Sequence, residues 1–494
     1  MPSTSTLTSP SSTKPFFRSV RITTSETIPE AVSADAKRWC LLAVGSLVVA
    51  GLLSLAVVIG RLPLLSRIID DPLFFKRCLV VHVDLALVVW FYAFLAGLLA
   101  LGLRARPSRT QTVAFAMAVG GVVAMLCGAL MRGAQPILAN YVPVIDHPLF
   151  SAGLAAVFVG TLVYFIHTLA NPFACAKSLL PDDAFLGLQA GAVTTVIAAA
   201  TWVSAQAGLP NGLDTFTRAE FLAWGPGHVL QAANVCAMLA VWLWLLERAT
   251  GVTVLSRSTA RIVFGALVLP QAAMPLLTAR GTLDSLYHTG ATQLMRWAIF
   301  PAIVAVLGIG LGHLYLHRSP ASRATGAAGH VAITGFIASV ALAALGITLG
   351  ACIRGSTTLV PAHYHASLGA VTVALMTAAY FVCDAVRRGQ SRGFLGDAVW
   401  RAARRQLTLF GIGQTVFALG FAIGGAYGLG RKAYAAEQHV RSAGEVSGLI
   451  VMGAGGLVAV AGGLWFLFLV LREMRHWWQP PALPVARSSM PTLP

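Results

Sequence analysis

Long runs of Ala, Val, Leu, Ile, Gly and Phe recur along this chain, separated by short stretches in which Arg, Asp, Ser and Pro collect. Each run is nearly free of charge and long enough to carry an α-helix across about 30 Å of hydrocarbon, which takes roughly 20 residues. The pattern predicts an all-α membrane protein with twelve spans, at 38–61, 76–103, 111–132, 144–170, 184–207, 218–246, 258–279, 284–316, 328–352, 358–386, 402–429 and 446–471. Residues 1–37 and 474–494 are expected to be tails around a membrane domain at 38–473.

Composition agrees: 57% of residues are hydrophobic and 11% charged, a balance that no soluble domain of this length shows. The formal net charge of +17 raises the question of nucleic acid, and its distribution answers it. With the N-terminus in the cytoplasm, 23 Lys and Arg fall in the tails and even-numbered loops, 11 fall on the other side, and Arg296 lies within a span. This is the positive-inside asymmetry. Arg104-Ala105-Arg106, Arg387-Arg388 and Arg404-Arg405 mark cytoplasmic ends, and both termini are expected in the cytoplasm of a bacterial-type inner membrane. The expected surroundings are lipid, with no nucleic-acid partner. Seven cysteines are scattered without a Cys-x-x-Cys pair and read as small apolar packing residues. The first ~35 residues are rich in Ser, Thr and Pro and read as a disordered tail, not a cleaved signal. Neither a phosphate-cradling Gly loop nor a Cys-x-x-Cys-His haem-attachment motif is present.

The informative polar residues are histidines. His363-Tyr364-His365 stands at the start of the tenth span. A helix advances about 100° per residue, so the two rings diverge by roughly 200° and cannot easily clamp one metal. They can hold two separate groups on opposite sides of one helix, and two haems would satisfy both rings. An imidazole inside a bilayer needs a partner, which makes the pair a functional expectation. His82 in the second span, His228 in the sixth, His288 in the eighth and His147 in the fourth enter from the same, outer, side. A depth shared by spans far apart in sequence is hard to obtain by chance. His167, His313, His317, His330 and His476 lie near inner ends and read as solvated or interfacial, and His439 falls in an outer loop.

Twelve spans, a histidine early in the second, one in the sixth and a His-x-His in the tenth resemble subunit I of the haem-copper oxidase superfamily, which includes cytochrome c oxidases and membrane nitric-oxide reductases. The resemblance covers about residues 38–473. It rests on "VPAHYHASLGA" for the His-x-His segment, "VVHVDLALVVWFYAFLAG" for the second helix, "WGPGHVLQAANV" for the sixth, and "GLGRKAY" for the basic pair that holds haem propionates. It implies two haems. His82 and His365 would ligate a six-coordinate low-spin haem, able only to carry electrons. His363 would hold a five-coordinate high-spin haem whose vacant side faces His228, and Arg431 and Lys432 would neutralise propionates.

The chain departs from that pattern at the second metal. The family carries an adjacent His-His pair near the outer end of its seventh helix, whereas this chain reads "LPQAAMPLLTARG", with Met274-Pro275 in that place. Ala232 stands four residues after His228, where A-type oxidases have a cross-linked tyrosine. One imidazole holds copper or nonhaem iron weakly. His288, accompanied by Tyr287 and Gln293, either folds inward to join His228 or is an interfacial residue, and Met274 is either a soft ligand or a core methionine. Arg296, about three turns into a span, has a haem propionate, Asp284 or Asp84 as possible partners.

Two functions compete. One is a terminal reductase of dioxygen or nitric oxide, taking protons from the outer side because the inner halves of the spans carry few polar residues. The other is a dihaem electron carrier, or a gas-binding sensor or accessory protein, without the second metal. A transporter has the span count but leaves the His-x-His unexplained. The chain has no two-cysteine copper site, so an electron-donating cytochrome or second subunit is implied.

Overall fold

The computed structural model describes residues 32–60, 72–102, 107–171, 179–317, 326–431 and 442–479. Among them, twelve helices are long and apolar enough to cross a membrane. They are α1 (Ala34–Ala56), α2 (Leu73–Leu101), α3 (Arg109–Ala129), α4 (Pro148–Ala170), α5 (Asp182–Ala207) and α6 (Thr215–Thr250). The second half comprises α7 (Arg257–Thr278), α8 (Ser285–Leu316), α9 (Gly326–Ala351), α10 (Leu359–Gly389), α11 (Asp397–Ala426) and α12 (Ala443–Met474). Every expected span is found, with ends displaced by a few residues; α1 starts four residues before the anticipated boundary. Among the described residues the one β element is a short hairpin between α3 and α4, β1 (Gln135–Ile137) against β2 (Val144–Asp146), in which Pro136 pairs with Ile145.

Helices adjacent in sequence form the main pairs: α3 with α4, α5 with α6, α9 with α10 and α11 with α12. With lipid outside as apolar as the side chains inside, close backbone approach and interhelical hydrogen bonds hold such pairs together. Gly420 illustrates the first: a Cβ there would overlap the backbone of Met452 on α12. Trp242 on α6 illustrates the second. Its Nε1–H donates to Ser339 Oγ at 2.8 Å, and that hydroxyl donates to the Ala370 carbonyl at 2.7 Å, so α6, α9 and α10 are joined inside the core. Tyr380 on α10 donates to Gln406 Oε1 at 3.0 Å, and Gln406 Nε2 donates to the Gly462 carbonyl at 3.0 Å, extending the linkage to α11 and α12.

Burial is uneven in a telling way. The most apolar stretches of α6, α10 and α2 are 89%, 83% and 72% buried, whereas those of α1, α3, α7, α8 and α12 are 33%. The three central helices are those that carry His228, His363, His365 and His82. On the arginine-rich side, ion pairs fasten the same centre: Arg388 to Asp384 at 3.0 Å, Arg248 to Asp384 at 3.9 Å and Arg387 to Glu473 at 3.1 Å. Removing one partner of the buried Asp384 cluster leaves a charge uncompensated, which is the costly direction.

Two expectations are corrected here. His313 is buried, not solvated: its Nε2 lies 2.9 Å from Thr250 Oγ1 and its ring rests 4.4 Å from that of His317, because the residue turns toward α6. Arg296 does not turn inward. It sits in a π-helical segment, Met295–Ile299, whose extra residue rotates it to the exposed surface of the bundle beside Trp297. Asp284 is held by Arg280 at 3.0 Å, and Asp84 is fully buried with neither carboxylate oxygen hydrogen-bonded.

Replacing Gly420 with Leu should force α11 and α12 apart and cost roughly 1–3 kcal/mol, the usual range for overpacking. A fall of several degrees in the thermal unfolding midpoint of the detergent-solubilised protein is the expected result; an unchanged midpoint would mean the pair is not in contact there.

Candidate functional site

Two of the histidines on the central helices, His82 and His363, are held in a common manner. His82 uses Nδ1 to reach the Ala50 carbonyl on α1 at 2.8 Å. His363 uses Nδ1 to reach the Gly346 carbonyl on α9 at 2.7 Å. A carbonyl only accepts, so Nδ1 carries the proton in both rings, leaving Nε2 as a bare lone pair. That is the tautomer and orientation of a metal-bound imidazole supported by a neighbouring backbone. Both rings are half-buried although they lie in the middle of the bundle, so open space adjoins them. Gly350 lets the His363 ring lie close against α9: a Cβ there would stand 2.7 Å from Nδ1.

His365 faces away from His363, as the helical advance requires. Its ring stacks on Phe421 of α11 with planes 4° apart and centroids 5.3 Å apart, and meets Phe417 edge-on at 4.8 Å. It has no hydrogen-bond partner among the described residues, and it lies within electrostatic reach of His82. Thus one ring of the His-x-His lies on the side of α11 within electrostatic reach of His82, while the other points to α9. Tyr364 between them is 43% exposed at the outer surface of the bundle.

His228 is built into a different environment. Pro226 lies inside α6, where its ring disturbs the hydrogen-bond ladder. The Tyr287 hydroxyl, from α8, enters the break: it accepts from the Gly225 N–H at 2.8 Å and donates to the Phe221 carbonyl at 2.6 Å. These are the donor and acceptor that an unbroken helix would join to each other, so Tyr287 acts as an inserted link. Two residues on, His228 Nδ1–H donates to the Trp224 carbonyl at 2.8 Å. Its Nε2 is then an acceptor, and the Tyr141 hydroxyl lies 3.0 Å away to donate to it.

Tyr141 comes from the hairpin loop between β1 and β2 and has a φ of 66°, a left-handed conformation that a bulky residue adopts only when its surroundings enforce it. The enforcing contacts are clear. Asn140 is gripped by Glu220, its backbone N–H donating to Oε2 at 2.8 Å and its side-chain amide to Oε1. Arg431 reaches Asn140 Oδ1 at 3.4 Å. Gly227 leaves room for the ring, since a Cβ at that position would overlap it. Burial, and then the Glu220 carboxylate, push the Tyr141 phenol above its ordinary range, with Arg431 opposing, so it remains a donor at neutral pH.

His288 joins the same aromatic group without touching a shared ligand. Its Nε2 lies 3.1 Å from the Thr282 carbonyl, and the Trp224 indole lies against both histidines, 4.9 Å from His228 and 5.2 Å from His288 between ring centroids. Met274 is fully buried and packs toward Gly225, as a core methionine does. Gln293 accepts from Trp297 Nε1 at 2.9 Å on the exposed side of α8. No group of three or more His, Cys, Asp or Glu side chains able to hold a metal occurs among the described residues. Of the basic pair, Arg431 has a buried Nε without a partner, while Lys432 lies outside the described residues, as do His439 and Arg104–Arg106. His147 caps the N-terminus of α4 by accepting from the Leu149 N–H at 3.2 Å.

Tyr141 and the Tyr287 insertion were not foreseen from the sequence. The Trp224-Gly225-Pro226-Gly227 run was the available signal, since a Pro between two Gly inside an apolar span calls for an outside group to mend the ladder.

No family model matches the chain. It is 28% identical to an uncharacterised protein of Aquifex aeolicus over 339 residues, covering 68% of this chain and 82% of that one. It is 23% identical to an uncharacterised protein of Rickettsia prowazekii over 496 residues, covering 89% and 96%. Among solved structures it is similar to a haem-copper terminal oxidase, with a TM-score of 0.59 and 17% identity over 91% of this chain and 84% of that one. The fold is therefore the twelve-helix bundle of haem-copper oxidase subunit I, as the histidine pattern led us to expect.

Tyr141→Phe should leave His228 Nε2 buried without a donor, lowering stability by about 1–3 kcal/mol. The freed lone pair should also bind added zinc at least tenfold more tightly than wild type does. Calorimetric titration of both proteins in detergent checks this; equal affinity and equal stability would show that Tyr141 does not hold His228.

Proposed function

We propose that this chain is a haem-binding membrane protein of the respiratory type. In this reading His82 and His365 hold a low-spin haem that carries electrons, and His363 holds a high-spin haem at which dioxygen or nitric oxide is bound and reduced. The observation that carries the proposal is the shared posture of His82 and His363. Each has Nδ1–H fixed to a carbonyl of the neighbouring helix, Nε2 bare, and open space beside the ring. Haems held in this way would supply one-electron transfer at a six-coordinate iron and gas binding at a five-coordinate one. The protein's own part is to fix the rings, to line His365 with Phe417 and Phe421, and to keep water out through the buried centre of α2, α6 and α10. The partnerless Nε of Arg431, at the outer mouth, suits an anionic group such as a propionate. Electrons would come from a cytochrome or second subunit. Both termini belong on the cytoplasmic side by the charge asymmetry.

A second reading, a dihaem carrier or gas-binding accessory protein without turnover, is favoured by one observation. Tyr141 occupies the Nε2 of His228, the nitrogen that a second metal would need. Retention of copper or nonhaem iron on His228 and His288 requires Tyr141 to withdraw.

The haem assignment is tested by spectroscopy of membrane-inserted variants. His82→Ala and His365→Ala should each remove the low-spin signal. His363→Ala should abolish carbon monoxide binding by the reduced protein and spare that signal. Unchanged low-spin spectra in both of the first two would sink the scheme. Arg431→Gln should lower a haem midpoint potential, because removing a nearby positive charge disfavours electron addition.

Metal content and turnover separate the two readings. One copper or nonhaem iron per two haems, with dioxygen or nitric-oxide consumption lost in His228→Ala and His288→Ala, is the outcome for the reductase. Two haems, no further metal and no consumption is the outcome for the carrier.

A further inference from the structure

On the arginine-rich side of the bundle, Arg401, Arg404 and Arg405 stand exposed on the first turns of α11. They line one wall of an open cavity of about 440 Å³, completed by Thr408, Leu409 and Ile412. Positions 401, 405, 408 and 412 follow the helical spacing of a single face, and Ile412 lies about 10 Å deeper along the axis than Arg405. The cavity therefore grades from three guanidinium groups at its mouth to an apolar, lipid-facing floor.

Among the described residues the arginines have no counter-charge. None forms an ion pair or donates a side-chain hydrogen bond among the described residues, and Asp397, one turn earlier, stays beyond ion-pair distance of Arg401. This contrasts with Arg387, Arg388 and Arg248 nearby in the fold, which are all consumed by Asp384 and Glu473. Three like charges within about 6 Å of helix repel one another and destabilise the turn unless an anion lies between them. Guanidinium groups bind phosphate oxygens in paired hydrogen bonds, which a single phosphodiester between neighbouring arginines can accept. The apolar floor excludes a soluble polyanion, whose other charges would have to enter it, and suits an acyl chain.

We infer that this face of α11 is a binding site for an anionic phospholipid, with the headgroup phosphate at Arg401, Arg404 and Arg405 and an acyl chain along Leu409 and Ile412. On the charge asymmetry the lipid belongs to the cytoplasmic leaflet, whose anionic lipids attract basic clusters of this kind.

The test uses the full-length protein in detergent, reconstituted with phosphatidylglycerol or phosphatidylcholine and followed by native mass spectrometry. Wild type should keep phosphatidylglycerol through delipidation in preference to phosphatidylcholine. The triple variant Arg401→Gln/Arg404→Gln/Arg405→Gln should lose that preference by tenfold or more. Arg401→Lys/Arg404→Lys/Arg405→Lys should keep part of it, which guards against a variant that merely folds badly. Arg257→Gln/Arg261→Gln removes exposed charge from the start of α7 and should leave retention unchanged. The inference is overturned if the triple Gln variant retains phosphatidylglycerol like wild type, or if the α7 variant loses as much. It is also overturned if millimolar inorganic phosphate displaces the lipid completely, which would mean that only an anion site exists.

Discussion

Everything near the centre of this molecule follows from the cost of placing an imidazole where no water can reach it. A neutral ring has one donor and one acceptor, and in a bilayer each needs a partner or a use. His82 and His363, each with a carbonyl of another helix on Nδ1, have their donor satisfied and their acceptor left over. His228 has both ends engaged, by its own helix and by a loop tyrosine. That difference, set by which helix or loop passes beside each ring, divides the centre into rings with a free acceptor and a ring with both ends engaged.

The arrangement of helices makes the division possible. Because α2, α6 and α10 are the most enclosed, histidines on them are shielded from lipid, whereas on the peripheral helices three histidines are caps or partners of hydroxyls and His288 meets a carbonyl. His147 caps α4, His167 lies 3.0 Å from Ser108 Oγ, and His313 meets Thr250. The two-residue spacing on α10 does the rest. One ring turns toward α9 and the other toward the Phe417–Phe421 wall of α11, so a single helix serves two compartments.

Much of this was legible in the sequence. Span positions come from hydrophobic runs that lipid demands to be continuous, so all twelve were recoverable with ends uncertain by a few residues. The opposed faces of His363 and His365 follow from helix geometry alone. What could not be read were partners distant in sequence. Tyr141 lies 87 residues from His228, and nothing local to either announces the bond. Arg296 was misplaced because a π-helical segment shifts the face on which a residue emerges, and such segments have no dependable sequence sign. His313 was misjudged because nearness to a helix end was equated with exposure, while Thr250 at the end of α6 packs against it. The relation of His228, His288 and Met274 to one another depended on the hairpin loop that carries Tyr141, which no local pattern announces.

The grip on Asn140 has a mechanical side. One asparagine joins the α3–α4 hairpin to Glu220 at the head of α6 and to Arg431 beyond α11. Its neighbour reaches through that joint to His228. The rim on the hairpin side is therefore one cooperative unit, not three independent loops: opening any one of them breaks bonds belonging to the other two. Slow, concerted protection of these amides against solvent exchange is what such a rim implies, and a rim that opens only as a whole admits a molecule to His228 all at once or not at all.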